Sequence, residues 1–294
     1  MVTQTKVKEA LEGFEKYLVD NTVLAPKTIL VYVNEIRYYF RKHTVFNGNT
    51  IIRHIVKQHK DSNNNVSKYA LKHFLKYIGR EKDVDVVEIL NKLPALKTPD
   101  RKRINRQISP ENILRILANI AHPVYRDIAS LQLATGARSS EIITLRHENF
   151  DLGNLTAMIT GKGKKTGYIQ FAEHLRPILQ KYVRNEKGYL FLPDKLVILK
   201  KEDPIEYQRQ LKRFNDNYYQ QVRQAGLNSG ISPFGTHDLR RAFSQEFYKA
   251  KPDIVALKEA LRHSRITTTV IYLPPFNEEV QSTIKSVQDR FKPK

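Results

Sequence analysis

Four short stretches of the chain set nucleophile, base and cation types at spacings that chemistry could use. In ATGARSSEI, Arg138 follows Thr135-Gly136-Ala137 at the expected start of a helix, and Glu141 lies three residues on, where its carboxylate can hold either the helix end or the Arg138 side chain. In GKGKK two glycines project Lys162 from a turn with Lys164 and Lys165 beside it, which suits contact with a phosphate or a DNA backbone; the Walker spacing GxxxxGK[ST] is absent. In GTHDLRRAF, His237 and Arg240 stand three apart and so share one helical face, a proton-transfer group beside a permanent cation. In EALRHSRITTTVIYL, His263 precedes Tyr272 by nine residues, across a threonine-rich stretch expected to bring them into one region. Each pattern alone is common, because single arginines are mostly surface charges and most histidines and tyrosines on helices serve packing.

Composition narrows what such groups can act on. The 294 residues carry 50 Lys and Arg against 30 Asp and Glu, a net charge of +20 that makes a polyanion, and nucleic acid first, the expected partner. The absence of cysteine excludes disulfides, thiolate nucleophiles, cysteine-ligated zinc and iron–sulfur clusters. There is no HExxH, no EF-hand pattern and no evident acid cluster for two-metal phosphoryl transfer, a pattern that agrees with chemistry expected to need no metal or cofactor. The start, MVTQTKVKEALEG, has no apolar stretch of signal-peptide length, and no apolar run approaches the roughly 18 residues of a membrane span; a cytoplasmic protein is the expectation.

Periodicity supplies the elements that must position these groups. Residues 1–96 read as a helical domain, with apolar residues at three and four spacing: Val7, Leu11, Phe14 and Leu18, then Ile29, Val33, Ile36 and Phe40, then Tyr69, Leu71, Phe74, Leu75 and Ile78. Between residues 41 and 80 nine basic side chains face one acid, Asp61. Lys68, Lys72 and Lys76 recur every four residues, a helix face that can track phosphates along a groove or simply be solvated. Residues 97–108, KTPDRKRINRQI, read as a basic linker in which Arg101, Lys102 and Arg103 can follow a DNA backbone. Ser109-Pro110-Glu111 then opens the second domain, 109–294, as a capping hydroxyl, a proline at the first helical position and an acid in the first turn. In it helices are expected over 113–120, 125–135 and 139–145, after Pro204 and after Ser244, with a strand at 155–159, a turn at 161–165 and a return strand at 167–171. The fold class is mainly α with a small β-sheet. A last amphipathic helix is expected at 277–291.

Together, Arg138, Lys162, His237, Arg240, His263 and Tyr272 resemble the tyrosine recombinase, or phage integrase, family, and most of all its short two-domain Xer-like members. The TGARSSEI box, the GKG turn, the HDLRR box and the LRH...Y box stand in the family's order and cover nearly the whole chain. Two positions depart from the pattern: Arg262 stands where the family usually has glycine before the histidine, and Ala137 where it usually has a larger apolar residue.

The resemblance implies a helical core-binding domain joined to an α+β catalytic domain, and site-specific cutting and rejoining of double-stranded DNA, in integration, excision or dimer resolution. Tyr272 is then the nucleophile that forms a 3′-phosphotyrosyl link. A free phenol, with a pKa of about 10, is about a thousandth ionised at neutral pH, so a base is needed, and His237 takes that role. Arg138 and Arg240 grip the nonbridging phosphate oxygens. Lys162 protonates the departing 5′ oxygen, and His263 adds a hydrogen bond to the phosphate or orients the tyrosine. Glu141 supports Arg138, and Arg241, Lys164 and Lys165 join Lys68, Lys72, Lys76 and Arg101–Arg103 as DNA contacts. The resemblance also implies four copies on two DNA sites and a nucleoid-associated location. Two alternatives share these groups: relaxation of DNA in the manner of a type IB topoisomerase, and a DNA-binding protein that kept the fold without the reaction.

Overall fold

The computed structural model describes residues 4–62, 65–96, 108–160 and 166–270. The chain divides into two compact units, one of residues 1–102 with 199–211, the other of 103–198 with 212–294.

In the first unit α1 (Gln4–Asn21), α2 (Pro26–Lys42), α3 (Gly48–Ser62) and α4 (Val66–Lys82) enclose one apolar core, followed by the short α5 (Val87–Asn91). The periodic residues fill that core: Leu11, Phe14 and Leu18 of α1, Ile29, Val33 and Ile36 of α2, and Leu71, Phe74 and Leu75 of α4 are all buried. Phe14 meets Phe74 edge to face at 5.0 Å between centroids. Tyr69, expected on the apolar stripe, is instead half exposed, while Ser67 and Ala70 are buried. At 100° per residue, 67, 70, 71, 74 and 75 make one face and residue 69 falls on the opposite side of the helix. Residues 199–211, inside the region expected to be catalytic, cluster with this unit: Ile205 packs on its core and Arg209 pairs with Glu15.

The second unit opens as its first residues predict. Ser109 Oγ accepts a hydrogen bond from the Asn112 backbone at 3.3 Å, with Pro110 at the first position of α6 (Pro110–Ala118). Helix α7 (Pro123–Thr135) ends at Gly136, whose φ of +60° is a left-handed cap. Then come α8 (Ser139–Ile143) and a three-stranded antiparallel sheet in the order β1 (Phe150–Asp151), β2 (Thr156–Thr160), β3 (Thr166–Gln170). Ala157 pairs with Ile169 and Thr160 with Thr166, so the core-facing residues of β2 are Ala157 and Ile159, with Ile169 beside them from β3. The remaining helices are α9 (Arg176–Tyr182), α10 (Lys195–Glu202), α11 (Pro204–Asn228), α12 (Thr236–Ala250), α13 (Ile254–Ala260) and α14 (Ile266–Val270). The helix expected after Ser244 begins eight residues earlier, at Thr236, because the Asp238 carboxylate accepts from the Gly235 N–H at 2.9 Å and closes the first turn. Strand β1 and helix α10 are too short to raise a periodic signal.

Helices α7 and α12 pack face to face. A β-carbon on Gly136 would lie 2.2 Å from the Phe243 ring of α12, so the absence of a side chain there allows the close approach. A buried polar chain fixes the start of α12: Tyr218 Oη donates to Gln132 Oε1 at 2.7 Å, and Gln132 Nε2 donates to the Thr236 carbonyl at 2.9 Å. No helix among the described residues is long and apolar enough to cross a membrane.

Candidate active site

Arg138 sits at the N-cap of α8, where Glu141 serves both roles open to it from sequence. Its Oε2 accepts from the Arg138 backbone N–H at 2.9 Å, and its Oε1 accepts from the Arg138 guanidinium at 2.8 Å. Burial alone would raise the Glu141 pKa; hydrogen bonds from Arg138 and the charge and hydrogen bond of Arg262 outweigh it, so the carboxyl is held below its ordinary range. The Arg138 side chain itself remains 36% exposed, open to an incoming anion.

Arg240, on α12, is 1% exposed. Its guanidinium donates to the Gly136 carbonyl at 2.6 Å and to the Leu261 carbonyl at 2.7 Å, which ties α12 to the end of α7 and the end of α13. It also meets His263 Nε2 at 2.8 Å. Because a guanidinium can only donate, Nε2 is the acceptor, and Nδ1–H then donates to Thr269 Oγ1 of α14 at 2.9 Å. Burial, reinforced by Arg240, Arg138 and Arg262, pushes the His263 pKa down to about 4. His263 is therefore neutral, and in this tautomer it aims Arg240 rather than donating from Nε2.

His237 lies at the start of α12 with an exposed edge. Partial burial of the ring, then the charges of Arg240, Arg138 and Arg241, lower its pKa, against a smaller opposing pull from Asp238. A neutral imidazole able to take a proton is the form favoured at neutral pH. Arg138, Glu141, His237, Arg240 and His263 thus form one electrostatically coupled cluster. Lys162, Lys164, Lys165 and Tyr272 lie outside the described residues, as do Arg101, Lys102, Arg103 and the segment expected as a last helix; Thr160 and Thr166, on either side of residues 161–165, are paired.

Among the expected DNA contacts, Lys72 and Lys76 are exposed on α4 and Lys68 is half exposed. Arg241 is held by Asp238 at 2.7 Å with a 20% exposed side chain. Sequence reasoning missed Thr269, whose threonine run gave only the general region, and the Gly136 and Leu261 carbonyls, which as backbone groups leave no sequence signal. Among the described residues no group of three His, Asp or Glu is placed to hold a metal ion.

Residues 106–279, more than half of the chain, match the model of the phage integrase family. The chain belongs to the phage integrase family. Among its relatives is the tyrosine recombinase XerA of Thermococcus kodakarensis, 26% identical over 274 residues that cover 90% of each chain. The tyrosine recombinase XerC of Bacillus subtilis is 28% identical over 232 residues, 75% of this chain and 73% of that one. In fold the chain is similar to the XerH site-specific recombinase solved bound to difH substrate in a pre-cleavage complex (TM-score 0.54, 18% identity, 97% and 85% of the two chains). It is also similar to a lambda integrase dimer bound to a COC′ core site (TM-score 0.57, 13% identity, 89% and 96%).

Proposed function

We propose that this phage integrase family member is a site-specific tyrosine recombinase that cuts and rejoins double-stranded DNA through a 3′-phosphotyrosyl intermediate on Tyr272. Arg138 and Arg240 neutralise the nonbridging oxygens as the phosphorus becomes five-coordinate, His237 accepts the phenolic proton, and Lys162 protonates the departing 5′ oxygen. The bond energy is conserved in the phosphotyrosyl ester, so a second strand's 5′ hydroxyl can displace the tyrosine without a nucleotide. The observation that carries the reading is the buried Arg240, held by two carbonyls and by neutral His263 in a cluster that also contains Arg138. Such fixation orients a permanent cation before substrate arrives, so little reorganisation remains for the transition state.

In this reading residues 1–96 and the 97–108 linker clasp the duplex through Lys68, Lys72, Lys76 and Arg101–Arg103. The 109–294 domain carries the reaction, with Lys164, Lys165 and Arg241 on the backbone. Four copies act on two DNA sites, in a cytoplasmic, nucleoid-associated setting. The proteins described above, three of them named as recombinases and two of them solved on DNA, support the partner and the reaction class.

The test is a nicked duplex in which the short downstream piece, released with its new 5′ hydroxyl, diffuses away, incubated with the protein in excess EDTA. A covalent protein–DNA adduct that maps to Tyr272 is expected. Tyr272→Phe should bind the duplex and form none; an adduct of unchanged yield in that variant means a different nucleophile.

A further inference from the structure

Arg262 occupies the position before His263 where a glycine was expected from the family pattern, and its backbone pays for that: its φ is +56°, in the left-handed region that side chains avoid. A non-glycine residue persists there when its side chain makes contacts that hold it. The contacts are specific. One Arg262 Nη donates to Glu141 Oε2 at 3.0 Å, the same oxygen that caps the Arg138 backbone, while the other Glu141 oxygen binds the Arg138 guanidinium. The second Nη donates to the Ala260 carbonyl at 3.0 Å. The aliphatic stem lies over Gly167 of β3, where a β-carbon would approach Arg262 Cδ to 3.1 Å. The Arg262 side chain is 19% exposed and that of Glu141 4%, so the pair is largely shielded from water.

We infer that Arg262 is a positioning residue for strand cleavage: through the shared Glu141 carboxylate it fixes Arg138 in the direction that meets the scissile phosphate. Without it Glu141 keeps both bonds to Arg138 but loses the third donor that fixes the carboxylate plane, and the exposed Arg138 fork can swing with it. A glycine at this position would satisfy the backbone and leave the carboxylate to Arg138 alone. The inference rests on the recombinase reading given above.

The experiment uses the full-length chain and a nicked duplex carrying the site that this chain selects from random-sequence DNA. Single-turnover formation of the covalent adduct at saturating protein is compared with binding affinity for Arg262→Gly, Arg262→Lys, Glu141→Gln and the Arg262→Gly/Glu141→Gln double variant. Arg262→Gly, which also relieves the left-handed φ and so should fold, is expected to bind as the parent does and to cleave about tenfold to a hundredfold more slowly, the scale of a misplaced reacting group. Arg262→Lys should recover much of that loss, since a single nitrogen carries the contact to Glu141. The double variant should cleave no more slowly than Glu141→Gln alone, because both changes remove one linkage. Wild-type cleavage by Arg262→Gly, losses that multiply in the double variant, or a loss confined to affinity would each overturn the inference while leaving the recombinase reading intact. Absence of any adduct from the unaltered chain would overturn both.

Discussion

His263 shows how one side chain can be set by its neighbours to a single protonation state. Its folded pKa of about 4 lies below the ordinary 6.5 because burial and three guanidinium groups oppose a second positive charge. The unfolded chain binds a proton on this ring below pH 6.5 and the folded chain does not until about pH 4, so the contribution to stability is full above 6.5 and is lost as pH falls toward 4. At about 1.4 kcal/mol per unit the loss amounts to about 3–4 kcal/mol. Denaturant midpoints measured across that window should fall for the parent and flatten for His263→Gln; parallel slopes would contradict the assignment. The LRH...Y spacing singled this residue out in the sequence, whereas its tautomer left no signal there. That depends on Thr269 and on Arg240, which come from separate elements and meet only in the fold. Glu141 lay at the other extreme. Its three-residue offset from Arg138 is a local geometry that a helix start dictates, and both alternatives foreseen for it occur together.

At the scale of elements, the α7–α12 contact decides where the two guanidinium groups stand. Gly136 ends one helix, offers its carbonyl to Arg240 of the other, and leaves room for Phe243. Gly136→Ala should therefore cost about 1–2 kcal/mol for the left-handed φ and a further 1–3 kcal/mol for overpacking against the ring. Shortening that ring with Phe243→Leu should return the second part only, as thermal unfolding of the single and double variants would show; full recovery would mean that the backbone conformation costs nothing. The helices themselves were readable wherever an apolar stripe ran for three turns, as in α2 and α4, and wherever caps were written out, as at Ser109-Pro110. The start of α12 escaped because its first turn, THDL, carries one buried leucine and is held by the Asp238 carboxylate and the Gln132 bond to the Thr236 carbonyl, not by a hydrophobic period. A two-residue strand such as β1 has no period to detect.

For the molecule as a whole, the +20 net charge sets how strongly and how generally it holds a polyanion. Binding affinity for duplex DNA should fall steeply and linearly on a log–log plot against salt concentration. Because Lys72 and Lys76 stand exposed on α4, replacing either with alanine should reduce that slope by about 0.9 if each neutralises one phosphate, and should do so equally for specific and unrelated sequences. A slope unchanged by both substitutions would assign them to solvent. The basic composition made nucleic acid the expected partner at once, since charge totals need no fold. The assignment of 199–211 to the first compact unit was not legible, because Ile205 and Arg209 find Glu15 and an apolar core nearly two hundred residues earlier in the chain.

The left-handed backbone at Arg262 makes that codon a place where selection for robustness and selection for turnover pull apart. In a library randomised at this one position and sorted twice, recovery by heat resistance should enrich glycine, and recovery by strand joining should enrich arginine, with lysine intermediate. The two ranked populations would show how much conformational ease this chain has exchanged for reactivity.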